Sequence, residues 1–130
     1  MVKEILRYKP TVLVVDDDEN IISAFEDFFR REYCIMLSAS SMEQALKIIS
    51  TQSPDLLITD IRLKDQSGIT FFLKFKAMFK DVPVIVMTGY PESITEKEVL
   101  ALGAEVLLLK PLELNKLRQA VRSCLHLHDV

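Results

Sequence analysis

Short apolar runs alternate along this chain with longer stretches in which apolar residues recur at helical spacing. Each run is short and free of charge, as expected for a strand that is buried on both faces of a sheet. The runs are Val12–Val15, Tyr33–Leu37, Leu56–Thr59, Val84–Met87 and Val106–Leu109. The helical stretches are Ile21–Phe29, Ala45–Ile49, Ile69–Phe79, about Ile94–Leu102 and Leu112 to about Leu125. The pattern therefore predicts five β/α units in succession.

Polar residues at the ends of these stretches support the same division. Asp18 is placed to cap the first helix, because aspartate is a favoured N-cap residue. Ser40 followed by Glu43 has the spacing of a capping box and predicts the start of the second helix. Gly68 marks a turn before the third helix, and Gly103 ends the fourth.

Strands that alternate with helices favour a parallel sheet with helices on both faces. Right-handed crossovers then give a doubly wound arrangement. We therefore predict the α/β class, with a doubly wound five-stranded parallel sheet. Ligands in such sheets lie beyond the carboxyl ends of the strands, so the residues that follow each strand are the candidates for chemistry.

Those residues form a coherent set. Asp16 and Asp17 follow the first strand, Asp60 follows the third, Thr88 ends the fourth and Lys110 follows the fifth. Clustered carboxylates repel one another, and a hard cation such as Mg²⁺ relieves the repulsion. Asp17 and Asp60 are candidate ligands, with Asp16 binding directly or through water.

The same set contains what phosphoryl transfer needs. A carboxylate can act as a nucleophile and form an aspartyl phosphate. Catalysis of this transfer consists mainly of positioning and of neutralising the charge on the phosphoryl oxygens. Lys110 offers a cation for one oxygen and Thr88 a hydroxyl for another, while the metal serves the third. Asp60 is the predicted acceptor.

Composition narrows the remaining possibilities. The chain has 130 residues, of which 49% are apolar and 27% charged, with a formal net charge of -3. These values are typical of one globular domain, and the absence of a basic stripe argues against direct binding of nucleic acid. The apolar runs are too short to cross a membrane, and Met1–Pro10 does not resemble a secretory signal. We therefore expect a cytoplasmic protein whose two cysteines, Cys34 and Cys124, are reduced.

Four segments resemble the receiver domain of bacterial response regulators. They are VLVVDD at 12–17, PDLLITDIRL at 54–63, VIVMTG at 84–89 and LGAEVLLLKPL at 102–112, within a match that covers about Thr11–Leu125. The resemblance implies a flavodoxin-like (βα)5 fold with strand order 2-1-3-4-5. It also implies site roles, which fall on the paired acids Asp16 and Asp17, the phosphoacceptor Asp60, the hydroxyl residue Thr88, the lysine Lys110, and the backbone carbonyl of Arg62 as a further Mg²⁺ ligand. It suggests a cis peptide bond between Lys110 and Pro111.

The resemblance carries an expected function. A receiver takes a phosphoryl group from the phosphohistidine of a sensor histidine kinase or of a phosphotransfer protein. It then controls a downstream effector domain or protein, and it catalyses only its own phosphorylation and dephosphorylation. Residues 1–130 are expected to form this one domain, without an effector domain. Neither nucleic acid nor a membrane is an expected partner. The third helix is more apolar than one buried stripe requires, which raises the hypothesis of a homodimer or partner surface there.

Two features depart from the family pattern. Leu107 stands where the fifth strand usually carries an aromatic switch residue, three positions before the lysine. The loop Leu63-Lys64-Asp65-Gln66-Ser67-Gly68 keeps only the glycine of the usual sequence. Arg62 and Tyr90, each two positions after a site residue, are predicted to flank the site. We hypothesise that they shield the acyl phosphate from water.

Three other functions remain as alternatives. A pseudo-receiver, which binds partners without using phosphate, is conceivable because of Leu107. A phosphatase of the haloacid dehalogenase type would explain Asp16 and Asp18, but that family needs a paired acid after the lysine. A flavin carrier would need a phosphate-binding loop after the first strand, and the aspartates there do not resemble one.

Overall fold

The structure is a computed structural model that describes residues 8–63, 68–91 and 94–126. In these ranges strands and helices alternate as predicted: β1 Thr11–Val15, α1 Glu19–Arg31, β2 Ile35–Ala39, α2 Met42–Thr51, β3 Leu56–Asp60, α3 Gly68–Met78, β4 Val84–Thr88, α4 Glu96–Ala101, β5 Val106–Leu109 and α5 Leu114–Cys124. The strands pair in parallel in the order β2-β1-β3-β4-β5. The predicted doubly wound α/β fold is confirmed.

The apolar strands are explained by helices on both faces of the sheet. Along β1, Val12 and Val14 belong to a cluster with α1 and α5, whereas Leu13 and Val15 belong to a cluster with α2, α3 and α4. Every residue of β3 and of β4 is buried. The phenylalanines of α1, of α3 and just after α3 are buried or partly buried in these clusters; they are Phe25, Phe28, Phe29, Phe71, Phe72, Phe75 and Phe79.

Several element boundaries differ from the predicted ones. The second strand is Ile35–Ala39, two residues later than predicted, because it pairs residue by residue with β1, from Thr11–Ile35 to Val15–Ala39. Tyr33 is exposed and precedes the strand. The predicted helix stretches at Ile94–Leu102 and Leu112–Leu125 contain α4 and α5, which are shorter.

The predicted capping box of Ser40 with Glu43 at the start of the second helix was wrong. The N-cap of α2 is Ser41, whose hydroxyl accepts from the Gln44 N–H at 3.1 Å, and not Ser40. The side-chain oxygen of Gln44 instead accepts from the Ser40 N–H at 2.8 Å. Asp18 does cap α1, through the Asn20 N–H at 2.9 Å. A complete capping box, not predicted, joins Thr95 to the third residue of α4.

Contacts between distant elements fix the ends of the fold. Arg122 on α5 donates to Glu32, just after α1, at 3.2 Å, and the Glu32 side chain is 9% exposed.

Cys34 and Cys124 are free thiols, and burial raises the pKa of each to about 11. Within the described ranges, no helix has the length and apolar character needed to cross a bilayer.

Candidate functional site

The predicted site residues meet at the carboxyl end of the sheet. Asp60 is the last residue of β3 and Thr88 the last of β4, while Asp16 and Lys110 directly follow β1 and β5. Asp16 and Thr88 are fully buried, and Asp60 is 7% exposed. The peptide bond between Lys110 and Pro111 is cis, as the resemblance suggests. Parallel pairing therefore brings polar groups that are far apart in sequence to one buried edge.

Lys110 is the centre of this arrangement. Its ammonium donates to Oδ2 of Asp16 at 2.6 Å and to Oδ2 of Asp60 at 2.5 Å. Its backbone N–H donates to the Thr88 carbonyl at 2.8 Å, which ties the start of the following loop to β4. One cation thus joins the ends of β1, β3 and β5.

The second oxygen of each carboxylate is held by a local backbone N–H. Oδ1 of Asp16 accepts from Asp18 at 2.9 Å, and Oδ1 of Asp60 accepts from Arg62 at 2.8 Å. Both carboxylates are therefore fixed at both oxygens. Each oxygen has a second lone pair, so these contacts leave capacity for a further ligand.

Burial and pairing compete at the charged groups. Burial raises the pKa of Asp16 above its ordinary value of 3.8, and the hydrogen bond from Lys110 opposes this rise without cancelling it. Burial alone would lower the pKa of Lys110, but its hydrogen bonds to Asp16 and Asp60 outweigh it and raise that pKa above 10.5. Lys110 therefore stays charged, and any additional cation close to Asp16 would favour its ionised form.

The side chains that flank the site contact each other. The Arg62 guanidinium carbon lies 4.3 Å from the centre of the Tyr90 ring. Both residues line an open cleft of about 570 Å³. The other residues that line it are Asp17, Asp18, Asp60, Leu63, Gly89 and Lys110. The sequence pattern does not predict that Leu63 lines the cleft, and only its position three residues after Asp60 could have suggested it.

Two further positions shape the site from below. Gly68, at the start of α3, approaches the β3 end so closely that an added Cβ would lie 2.1 Å from the Asp60 carbonyl oxygen. Leu107 is buried in the apolar cluster with α2, α3 and α4 and pairs with Val86. Residues 64–67 of the loop before Gly68 lie outside the described residues.

The donor atoms suit a hard divalent cation. Asp16, Asp17 and Asp60 offer carboxylate oxygens, which Mg²⁺ prefers. Across the described ranges, no three acidic, histidine or cysteine side chains are grouped so as to hold a metal ion, and Lys110 bridges two of the acids. Asp16 and Asp60 together carry more negative charge than the one ammonium balances, so it is the charge and chemistry of the donor set, rather than its grouping, that favour a further cation.

Comparisons with known proteins identify the family to which the chain belongs. A family model described as the response regulator receiver domain matches residues 12–122. Sporulation initiation phosphotransferase F of Bacillus subtilis is 31% identical over 116 residues, which are 89% of this chain and 94% of that protein. Transcriptional regulatory protein ZraR of Escherichia coli is 32% identical over 120 residues, which are 92% of this chain but 27% of that longer protein. The solved structure of a two-component response regulator from Clostridium difficile matches with a TM-score of 0.83 at 25% identity, covering 91% of this chain and 97% of that chain. The chain therefore belongs to the family of response regulator receiver domains, which act in two-component signalling.

Proposed function

We propose that Asp60 accepts a phosphoryl group from the phosphohistidine of a sensor histidine kinase or of a phosphotransfer protein. The observation that carries this proposal is the Lys110 ammonium, which bridges Asp60 and Asp16 in a nearly buried position. These hydrogen bonds raise the pKa of Lys110, so its ammonium stays charged, and they hold it against Oδ2 of Asp60. The relative of nearly the same length bears the name of a phosphotransferase, which supports phosphoryl transfer as the reaction.

In the proposed reaction, a carboxylate oxygen of Asp60 forms a bond to phosphorus as the bond from phosphorus to the imidazole nitrogen breaks. The imidazole, protonated on its other nitrogen, leaves as the neutral ring. Lys110 neutralises a phosphoryl oxygen as negative charge moves toward Asp60. Thr88 supplies its hydroxyl hydrogen to a second oxygen, because its own oxygen is already an acceptor for the Tyr90 N–H at 2.9 Å.

Mg²⁺ would be held by Asp16, Asp17, Asp60 and the backbone carbonyl of Arg62. When bound, it supplies positive charge that neutralises the phosphoryl oxygens and orients the incoming donor. The protein contributes the fixed carboxylates on which this depends, since Asp16 and Asp60 are each held at both oxygens.

The proposed output is a change in a protein-binding surface. A phosphoryl group carries about -1.5 to -2 charges, and its attraction for Thr88 would shift the loop after β4. The neighbouring surface of α4, β5 and α5 carries exposed leucines, which suit a protein partner; they are Leu100, Leu102, Leu109 and Leu114. We propose that a downstream effector domain or protein reads this surface.

The test is phosphorylation by acetyl phosphate with Mg²⁺, followed by mass spectrometry of the intact protein. We expect the parent to gain one phosphoryl group and Asp60→Asn to gain none. Asp27→Asn, which changes an exposed carboxylate on α1 in the same way, should match the parent. Chelation of Mg²⁺ should slow the gain. A parent that stays unmodified would reject the proposal and favour a binding module that acts without phosphate.

A further inference from the structure

Arg62 and Tyr90 are each tied to a residue of the proposed phosphorylation site through their own backbone. The Arg62 N–H donates to Oδ1 of Asp60 at 2.8 Å, and the Tyr90 N–H donates to Oγ1 of Thr88 at 2.9 Å. Each bond spans two residues, so the side chain of Asp60 or Thr88 cannot shift far without moving the residue that follows. The two flanking residues are thereby coupled to the two side chains nearest the reaction.

The side chains of the same two residues meet across the cleft. The guanidinium of Arg62 lies over the Tyr90 ring, 4.3 Å from its centre, although Arg62 follows β3 and Tyr90 follows β4. Tyr90 is 52% exposed. A cation over a ring at so exposed a position is held weakly, because water competes for the charge. The contact is therefore one that a stronger anionic partner of arginine can replace.

A phosphoryl group on Asp60 would be such a partner. It presents several acceptor oxygens, and the planar guanidinium of arginine binds phosphate with two parallel hydrogen bonds. Arg62 and Asp60 line the same cleft. Lys110 is already shared between Asp16 and Asp60, so the added negative charge exceeds what that one ammonium balances.

We infer that Arg62 and Tyr90 form a phosphorylation-sensitive latch, in which the guanidinium leaves the Tyr90 ring for the phosphoryl group on Asp60. The Tyr90 ring then loses its contact with the guanidinium, and its changed environment reports the phosphorylated state on the protein surface. This inference rests on the proposed phosphorylation of Asp60 and assigns Arg62 and Tyr90 a regulatory part in it. The latch joins the two segments that follow the acceptor and the hydroxyl residue, so one event changes both.

The experiment follows Tyr90 directly. The chain has three tyrosines and no tryptophan, so protein labelled with 3-fluorotyrosine gives three ¹⁹F resonances, and Tyr90→Phe identifies that of Tyr90. Spectra are recorded before and after reaction with acetyl phosphate and Mg²⁺, and mass spectrometry gives the phosphorylated fraction of each sample. Because the two covalent states interconvert slowly, we expect a second Tyr90 resonance, displaced by more than its linewidth, whose share of the intensity follows that fraction, while the resonances of Tyr8 and Tyr33 stay in place.

Two variants separate the latch from a general effect of phosphorylation. In Arg62→Gln, the Tyr90 resonance should lie near the phosphorylated position already, and should move by less than half the parent shift at equal phosphorylated fraction. Arg118→Gln removes the same charge from an arginine that lies 5.9 Å from the Phe28 ring, and it should behave as the parent. Phosphorylation with an unmoved Tyr90 signal, or an equal shift in Arg62→Gln, would overturn the latch alone. Absence of phosphorylation would overturn the proposed function and the latch with it.

Discussion

Gly68 offers the sharpest test of how the site is supported. This glycine begins α3, where a Cβ would lie 2.1 Å from the Asp60 carbonyl oxygen and 2.6 Å from the Ile61 carbonyl carbon. Both are backbone atoms, so no side chain can rotate away to make room. Gly68→Ala must therefore move the start of α3 away from the end of β3 by at least about 1.3 Å to restore an ordinary contact of 3.4 Å.

Two effects of this substitution oppose each other. Alanine usually stabilises a helix relative to glycine by about 0.5–1 kcal/mol. Overpacking of a tightly packed position costs about 1–3 kcal/mol, and the upper part of that range applies here because the clash is with backbone. We expect Gly68→Ala to lower the free energy of unfolding by about 1–2 kcal/mol. That loss corresponds to a fall in Tm of about 4–8 °C for a domain of this size.

Urea denaturation and thermal unfolding, each followed by circular dichroism, measure the effect. Gly89→Ala is the matched control, because among the described residues a Cβ at Gly89 would meet only the Lys110 side chain, at 3.9 Å, an ordinary contact. It should change the stability by less than about 0.5 kcal/mol. If Gly68→Ala were as stable as the parent, or more stable than Gly89→Ala, the close approach of α3 to Asp60 would be refuted.

Three further predictions follow from local contacts. Burial raises the Asp16 pKa above 3.8, so the free energy of unfolding falls as the pH rises from that value through the raised pKa. Asp16→Asn removes this loss and should therefore stabilise the protein more at pH 7 than at pH 4. Denaturation in EDTA measures the difference, and an equal effect at the two pH values would contradict the prediction. Thr95→Ala removes a capping box and should cost about 1 kcal/mol, whereas Glu113→Ala, at a cap without a side-chain bond, should cost less in the same assay. Arg122→Met removes the arginine from the largely buried Glu32 side chain and should cost about 1–3 kcal/mol. Arg30→Met breaks an exposed ion pair and should cost under about 1 kcal/mol; equal losses would reject the distinction.

The sequence predicts most of this fold because its signals are local and agree with one another. Uninterrupted apolar strands, helical spacing and strand-end acids each point to the same doubly wound sheet. The errors arise where local signals are degenerate. Ser40 with Glu43 and Ser41 with Gln44 both have capping-box spacing, and the structure selects Ser41. The start of β2 is likewise set by pairing with β1, although Tyr33 and Cys34 suit a strand as well as Ile35 does.

The site shows a similar division. The residues that meet at the sheet edge follow from the order of the strands, so Asp16, Asp60, Thr88 and Lys110 are predictable. The bridge that Lys110 makes to both acids is not, because it depends on side-chain directions. The place of Arg62 and Tyr90, each two positions after a site residue, predicts that both flank the site. Their contact with each other has no sequence signal, since the two residues lie in different loops.

Charge balance connects these contacts to the proposed reaction. Asp16 and Asp60 place two carboxylates at the buried edge, and Lys110 supplies one positive charge. The edge is therefore negative before Asp17 is considered, which favours a divalent cation there. Conversion of the Asp60 carboxylate to an acyl phosphate makes the edge more negative again, by up to about one charge. Arg62 lies in the same cleft, and its contact with the Tyr90 ring is exposed and weak. The Arg62 guanidinium can therefore neutralise the added negative charge without breaking the ion pairs of Lys110 with Asp16 and Asp60. For this reason the latch should open when Asp60 is phosphorylated.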